Sequence, residues 1–176
     1  QPYGVESHLE PTLGILTASP HVTRRDLIEG DGRYPLLVIT ENGNEIRDPG
    51  TSTVLKPAIA LIARMKASDV ASSWAMEGLL YHLVCDESPK MKDLRKRFAF
   101  YVCPMMNPEA VSEGYSRSDM HGLNLRKCWK KPDRTKTPQV FHCKKLLRRL
   151  HRAHRLLAFI ELAGSVSASS SMYLEG

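Results

Sequence analysis

The sequence predicts an α/β fold in which helices cover both faces of one sheet. Short β-branched or apolar runs alternate with helical patterns along the chain, as in proteins built around a largely parallel sheet. The 176 residues are 42% hydrophobic and 25% charged, which is typical of globular chains and disfavours disordered and fibrous classes. No apolar run approaches the roughly 20 residues that a membrane span needs. We therefore expect one domain over residues 1–176 and no membrane partner.

The first half of the chain predicts two strands and a helix. The β-branched run Tyr34–Thr40 is closed by the turn-like Glu41–Asn44 and predicts a strand, and the apolar run Ala58–Ala63 predicts a second. Ser68-Asp69 can cap a helix, and apolar residues then recur at near-helical spacing up to Cys85. These apolar residues are Trp74, Leu79, Leu80 and Leu83.

The second half continues the alternation after a long loop. A basic helix around Lys90–Arg97 leads into a third strand, Phe98–Cys103, which Pro104 ends. Asn107–Lys136 is rich in Gly, Asn, Asp, Ser and Pro, and predicts a long loop of the kind that often carries function. From Thr137 a helix is predicted with Leu146, Leu147, Leu150 and Ala153 on its apolar face. Further strands are predicted at Leu157–Leu162 and Ser171–Leu174.

Positive charge is concentrated in three stretches. Lys and Arg total 25 against 19 Asp and Glu, and the formal net charge of +6 favours an acidic partner over a basic one. The stretches are Lys90–Arg97, Arg126–Lys136 and Lys144–Arg155. Such a stripe is more often a solvated helix face than a binding site. Nucleic-acid contact through the basic helix Lys144–Arg155 is an alternative that rests on charge alone.

The four cysteines, at positions 85, 103, 128 and 143, form no C-x-x-C pair and none of the spacings of a zinc finger or ribbon. Three of them lie in apolar or helical contexts, which predicts buried thiols. A reducing compartment is the simpler inference from this pattern.

A series of short motifs resembles a known family. In chain order the motifs are Ala63-Arg64, Ser72-Ser73-Trp74, Pro104 to Pro108, Gly122, Leu125, Trp129, Phe141-His142 and Glu161-Leu162. Their order and spacing resemble the zinc metallocarboxypeptidases, most closely the cytosolic carboxypeptidase branch that trims glutamates from tubulin tails. The resemblance extends over nearly the whole chain and implies a carboxypeptidase-like mixed sheet, incomplete at its C-terminal side. It implies that residues 1–176 are the N-terminal part of the peptidase domain, and it favours a cytoplasmic or cytoskeletal location.

The resemblance places the family's zinc ligands where this chain lacks donor atoms. After Ala63-Arg64 the family has x-His-Pro-Gly-Glu, whose His and Glu bind zinc, but here the segment reads Met65-Lys66-Ala67-Ser68-Asp69. The third ligand, a histidine, falls at Ala163. An ammonium group has no lone pair and an alanine side chain has no donor, so Asp69 alone should not retain zinc. We expect no bound metal, no cofactor and no catalytic residue.

Other histidines offer little to restore the site. His151 and His154 are spaced i, i+3 but border the basic helix face, and His142 begins that helix. His121 lies in the long loop beside the substrate region of the family and is the best outside candidate.

The positions that the resemblance aligns with the family's substrate-binding residues are also altered. The resemblance aligns Arg117 with the arginine that polarises the scissile carbonyl, and it aligns Arg126-Lys127 with an Asn-Arg pair that grips the C-terminal carboxylate. Lys presents a point charge where Arg presents a fork, so carboxylate geometry would be less well defined. These residues predict either a weak anion site or surface cations with no ligand. The family's general-base glutamate lies well beyond Ser171–Leu174 and is not assigned, and Glu161 does not replace it.

Lys66 suggests a structural use for the altered site. We hypothesise that its ammonium group replaces the charge of zinc and pairs with Asp69 and Glu161. The alternative is a lysine that points into water.

Four functional hypotheses follow. The first is a catalytically inactive carboxypeptidase-like domain that is a structural or binding component of a larger protein assembly. The second is a non-cleaving reader of acidic, glutamate-rich peptide tails such as those of tubulin. The third is an active zinc carboxypeptidase with displaced ligands, and the fourth is a nucleic-acid-binding domain.

Overall fold

One mixed sheet of five strands organises the molecule. The structure, a computed structural model, describes residues 2–42, 56–153 and 155–164. Its strands are β1 (Val22–Asp26), β2 (Pro35–Ile39), β3 (Ala58–Ala63), β4 (Ala99–Cys103) and β5 (Leu156–Leu162), in the spatial order β1-β2-β4-β3-β5. β1 runs antiparallel to β2 and β2 antiparallel to β4, whereas β3 runs parallel to both β4 and β5. The predicted α/β mixed sheet is confirmed.

Helices pack on both faces of this sheet. In the described residues they are α1 (Glu10–Leu16), α2 (Val70–Cys85), α3 (Pro89–Arg97), α4 (Pro108–Ser112), α5 (Leu125–Cys128) and α6 (Pro138–Arg152). A π-helical turn, Val5–Leu9, runs directly into α1. None of the helices in this part of the chain is long and apolar enough to cross a membrane.

Two separate cores follow from the alternation of strand side chains between faces. On one face, Val38, Ile62 and Tyr101 pack with the apolar side of α6, including Val140 and Leu150. On the other face, strand residues pack against α1, α2 and α3, and the members of this second core include Leu37, Leu61, Val102, Leu13, Met76, Leu80 and Met91. The central strands are therefore covered on both sides, which is the arrangement that parallel strands require.

Local sequence signals fix where the main helices begin. The Asp69 carboxylate accepts a hydrogen bond from the backbone N–H of Ser72 and caps α2. Ser88 caps α3 through the backbone N–H of Met91, and proline occupies the first turn of both α3 and α6. The predicted helices after Asp69, around Lys90–Arg97 and from Thr137 are therefore confirmed.

Several expectations need correction. The predicted loop Asn107–Lys136 contains the short helices α4 and α5, because Pro108 and Asn124 can start helical turns. Trp74 is 37% exposed and Ala153 is exposed, so neither belongs to the buried core. Cys103 and Cys143 are buried, but Cys128 is only half-buried and Cys85 is exposed, so two thiols rather than three are buried. The predicted strand at Ser171–Leu174 lies outside the described residues.

Candidate functional site

The carboxyl ends of β3, β4 and β5 meet at one edge of the sheet, where open α/β sheets bind their ligands. Lys66 and Asp69 follow β3, and Ala163 follows β5. The segment that carries Arg117 and Arg126-Lys127 follows β4. The topology therefore brings the sequence-predicted positions to a common edge of the sheet.

Arg64 organises the loop that leaves β3. It is a buried non-glycine residue in the left-handed region, with φ of 55°. Its Nε donates to the carbonyl of Ala67 at 2.9 Å, and one terminal nitrogen donates to Ser73 Oγ at 3.0 Å. Burial lowers the pKa of Arg64, and the nearby Asp69 carboxylate opposes that shift. The hydrogen bonds hold the Lys66–Asp69 turn against the first turn of α2.

The Asp69 carboxylate is hydrogen-bonded to backbone N–H groups. Its side chain is buried, and Oδ1 accepts from the backbone N–H of Ser72 at 3.3 Å. The backbone N–H of Gly164 approaches both carboxylate oxygens, at 2.9 Å from Oδ1 and 3.1 Å from Oδ2. One carboxylate therefore caps α2 and also ties α2 to the residue after β5.

Glycine is the only residue type that fits at position 164 without a rearrangement of the neighbouring atoms. A Cβ atom added at Gly164 would lie 2.7 Å from Asp69 Oδ1 and 2.7 Å from Ala71 Cβ. The sequence analysis assigned no role to Gly164. A glycine directly after a strand was the available signal.

Lys66 does not form the hypothesised ion pair. Asp69 and Glu161 are both described, and neither forms a salt bridge with Lys66. The Asp69 carboxylate accepts hydrogen bonds from backbone N–H groups, and the Glu161 carboxylate forms a salt bridge with a different cation. The hypothesis that Lys66 replaces the charge of zinc is therefore wrong for these two partners.

Glu161 is paired with Arg126. The Nε of Arg126 lies 2.7 Å from Glu161 Oε1, and a terminal nitrogen lies 2.6 Å from the same oxygen. Both side chains are partly buried, with exposed fractions of 32% for Arg126 and 26% for Glu161. This pair joins α5 to β5 and neutralises one of the three cations that the sequence predicts for an anion site.

The remaining candidates are exposed. Arg117, Lys127 and His121 all lie at the surface, and none of them forms a salt bridge with a described residue. His151 is also exposed, whereas His142 is half-buried and its pKa is lowered by burial and by nearby Lys145 and Arg134. His154 lies outside the described residues.

Asp119 is a structural residue of the long loop that sequence reasoning missed. It is buried, and its Oδ1 accepts from the backbone N–H groups of His121 at 2.9 Å and Leu123 at 2.8 Å. Asn107, also buried, donates through Nδ2 to the carbonyl of Ser118 at 3.3 Å. An aspartate that accepts from the residue two positions ahead is a common turn former, and this was the signal available in the sequence.

The residues present do not fit a catalytic zinc ion. Such an ion needs three protein donors and an open position. At the three positions that the sequence resemblance assigns to zinc ligands, the side chains of Lys66 and Ala163 supply no lone pair, and Asp69 is already hydrogen-bonded to Gly164 and Ser72. Across the described ranges, no three His, Cys, Asp or Glu side chains cluster as a metal site elsewhere.

The fold and this edge of the sheet define a carboxypeptidase-like α/β domain, and comparison with known proteins identifies the family. Residues 32–163 match the zinc carboxypeptidase family. The chain is 31% identical over 176 residues to cytosolic carboxypeptidase 1 of Danio rerio, which covers 98% of this chain. It is 35% identical over 101 residues to cytosolic carboxypeptidase 1 of Mus musculus, which covers 57% of this chain. The chain belongs to the zinc carboxypeptidase family.

Solved structures agree with this assignment. A metallo-carboxypeptidase from Burkholderia cenocepacia matches with a TM-score of 0.76 and 25% identity, over 93% of this chain and 42% of that protein. Carboxypeptidase A from Helicoverpa armigera shares the fold, with a TM-score of 0.64 and 14% identity, over 92% of this chain and 45% of that protein. The chain spans only 15% of the Danio rerio relative and 8% of the Mus musculus relative.

Proposed function

We propose that the chain is a catalytically inactive metallocarboxypeptidase-like domain, retained as a structural or binding component of a larger protein assembly. The observation that carries the proposal is the use of Asp69 by backbone N–H groups. A carboxylate that caps α2 and holds Gly164 is a stabilising element of the fold, and a metal ion would have to compete with both interactions for it.

The chemistry of the other two aligned positions supports the same conclusion. Lys66 would place an ammonium group where an imidazole is required, and a positive charge there repels a divalent cation. Ala163 has no donor atom. A site without the metal loses the group that lowers the pKa of the attacking water.

Peptide-tail reading is the second candidate, and the exposure of Arg117 and Lys127 supports it. Both cations are open to a carboxylate from solution. Arg126 would have to leave Glu161 before it could contribute. If the domain reads glutamate-rich tails, Glu161→Gln should raise the affinity for a glutamate-ended peptide severalfold, and Arg117→Gln should lower it. Unchanged binding in both variants would eliminate this candidate.

The proposal also covers location and partners. The similar proteins from Danio rerio and Mus musculus are named cytosolic carboxypeptidases, which supports a cytoplasmic or cytoskeletal location for this chain. Protein partners are expected to be identified by their co-purification with the tagged chain from that compartment.

The direct test combines metal content with peptide hydrolysis. The purified chain is dialysed against micromolar zinc, its metal content is measured, and it is incubated with a peptide that ends in glutamates. We expect no stoichiometric zinc and no released glutamate. Stoichiometric zinc together with cleavage would overturn the proposal, and His121→Ala would then test whether a displaced ligand supports the activity.

A further inference from the structure

We propose that the exposed side of α6 and the loop before it bind the phosphate backbone of a nucleic acid. We call this surface the basic face. Its members are all exposed, and they are Lys127, Lys130, Lys131, Arg134, Lys136, Lys145, Arg148, Arg149 and Arg152.

The charge of the chain is strongly segregated toward this surface. Residues 126–155 contain 12 Lys and Arg and a single acidic residue, Asp133, so their net charge is +11. All other residues contain 13 Lys and Arg against 18 Asp and Glu, so their net charge is −5. The positive net charge of the protein therefore arises entirely from one segment, which creates a local field that attracts polyanions.

The basic face is not neutralised by the protein itself. None of its nine cations forms a salt bridge with a described residue. The one carboxylate in the segment, Asp133, accepts from the backbone N–H groups of Thr135 and Lys136, at 2.8 Å each. The Asp133 carboxylate therefore stabilises the turn of the loop.

A second basic helix in the same molecule behaves differently. On α3, Lys92 pairs with Glu87 at 2.9 Å, Arg97 pairs with Asp93 at 3.2 Å, and the buried Arg95 pairs with Glu41 at 2.9 Å. Basic sequence alone therefore does not produce an open cationic surface in this fold. Because α6 differs from α3 in this way, a solvent-exposed helix side without a binding partner is a weaker explanation for the unpaired cations of α6.

The loop and α6 form one continuous surface. Lys144 Nζ donates to the carbonyl of Trp129 at 2.5 Å and also contacts the carbonyl of Lys130, so the helix holds the loop. The lowered pKa of His142 has both Lys145 and Arg134 among its causes, which places a helix cation and a loop cation near the same ring.

The helix also presents its cations in a regular and fixed order. Its apolar side, with Val140, Cys143, Leu146 and Leu150, is buried in the core, so the helix cannot rotate. Lys145 and Arg149, and likewise Arg148 and Arg152, are i, i+4 neighbours that stand about 6 Å apart along the helix axis. Like charges at this spacing repel each other, and a bound polyanion removes that repulsion.

The composition of the surface favours nucleic acid over other anionic partners. A membrane-surface helix inserts its apolar side, but that side of α6 is buried. Globular protein partners are usually anchored by apolar or aromatic side chains. The exposed large hydrophobic residues of the described chain all lie elsewhere, and they are Ile15, Trp74, Tyr115, Met120, Leu157 and Ile160. Recognition by charge alone, with guanidinium groups on phosphates, is the mode that fits.

The test measures binding of the whole chain to fluorescent single-stranded and duplex oligonucleotides by anisotropy. If the four helix cations each contact a phosphate, affinity should fall about 100-fold between about 50 and 200 mM salt. The variant K145Q/R148Q/R149Q/R152Q should bind at least about 10-fold more weakly and with a shallower salt dependence. The matched control K90Q/K92Q/K96Q/R97Q removes four cations from α3 and should change affinity less than about twofold.

A second variant keeps the test decisive if the first is destabilised. K130Q/K131Q/R134Q/K136Q alters only exposed loop residues and should also weaken binding severalfold. No binding at low salt, or an equal loss in the α3 control, would overturn the proposal. Equal affinity for a glutamate-rich peptide of matched charge would replace nucleic acid with an acidic peptide as the partner. Neither result depends on the zinc and hydrolysis measurements.

Discussion

The Asp69 carboxylate accepts the backbone N–H of Gly164, and this contact links the first turn of α2 to the residue that follows β5. The same carboxylate caps α2 through Ser72. At the position where relatives are expected to carry a zinc-binding carboxylate, this chain has one that holds two elements of its own fold together. The stability of the fold is therefore a property that depends on Asp69.

Removal of this carboxylate should destabilise the fold. We expect Asp69→Ala to lower the free energy of unfolding by about 2–3 kcal/mol, since it removes a helix cap and a charge-assisted hydrogen bond. Asp69→Asn keeps one acceptor and should cost less. Urea unfolding followed by circular dichroism measures both variants. A loss below about 0.5 kcal/mol for Asp69→Ala would show that the contact is not structural.

Gly164 should tolerate no side chain. Gly164→Ala places a Cβ 2.7 Å from Asp69 Oδ1 and from Ala71 Cβ, so we expect a loss of about 1–3 kcal/mol. Gly78→Ala in α2 is the matched control, because no atom lies within 4 Å of its added Cβ and alanine is the better helix former. That control should raise stability by about 0.5–1 kcal/mol. Equal effects in the two variants would contradict the predicted close contact.

The Arg126–Glu161 pair should contribute modestly, because both side chains are partly exposed. A double-mutant cycle with Arg126→Gln and Glu161→Gln should give a coupling energy of about 0.5–1 kcal/mol that shrinks as salt is added. Additive single variants would mean that the two side chains do not interact in solution.

Burial should protect two of the four thiols from chemical modification. Burial raises the pKa of Cys103 to about 12 and also raises the pKa of Cys143, so both stay protonated in the folded protein at neutral pH. At pH 8 a thiol reagent should modify exposed Cys85 first and half-buried Cys128 more slowly. Cys103 and Cys143 should react only after unfolding. Rapid modification of all four thiols in the folded state would contradict this order.

The raised pKa values of Cys103 and Cys143 also make the free energy of unfolding depend on pH. The thiols in the unfolded chain ionise near pH 9, below their folded pKa, so the folded state binds more protons above that pH. Stability should therefore fall as the pH rises beyond about 9. Replacement of Cys103 by Ala should reduce this dependence, and an unchanged profile in that variant would assign it to other groups.

The elements with strong local signals could be predicted from the sequence. β2, β3 and β4 are apolar runs buried on both faces, and α2 and α6 combine a helix start signal with apolar residues at helical spacing. β1 was missed because its sequence, Val-Thr-Arg-Arg-Asp, is polar and half-exposed at the sheet edge. α4 and α5 were missed because they are only five and four residues long and carry little periodicity.

The site was predictable in its positions but not in its contacts. The motif order indicated that Lys66, Asp69 and Ala163 share one edge, and the parallel strands agree with that placement. The choice of partners depends on backbone geometry that the sequence does not reveal. Gly164 offers an N–H directly to Asp69, and Arg126 reaches Glu161 from α5, so neither carboxylate needs Lys66.

Zinc binding is the measurement that tests the central claim most directly. Equilibrium dialysis compares the natural chain with the variant K66H/A163H, which restores two imidazole donors beside Asp69. We expect no specific zinc on the natural chain and about one zinc per molecule on the variant, because two histidines and a carboxylate supply the three ligands that such a site needs. One tightly held zinc per molecule of the natural chain would contradict the account.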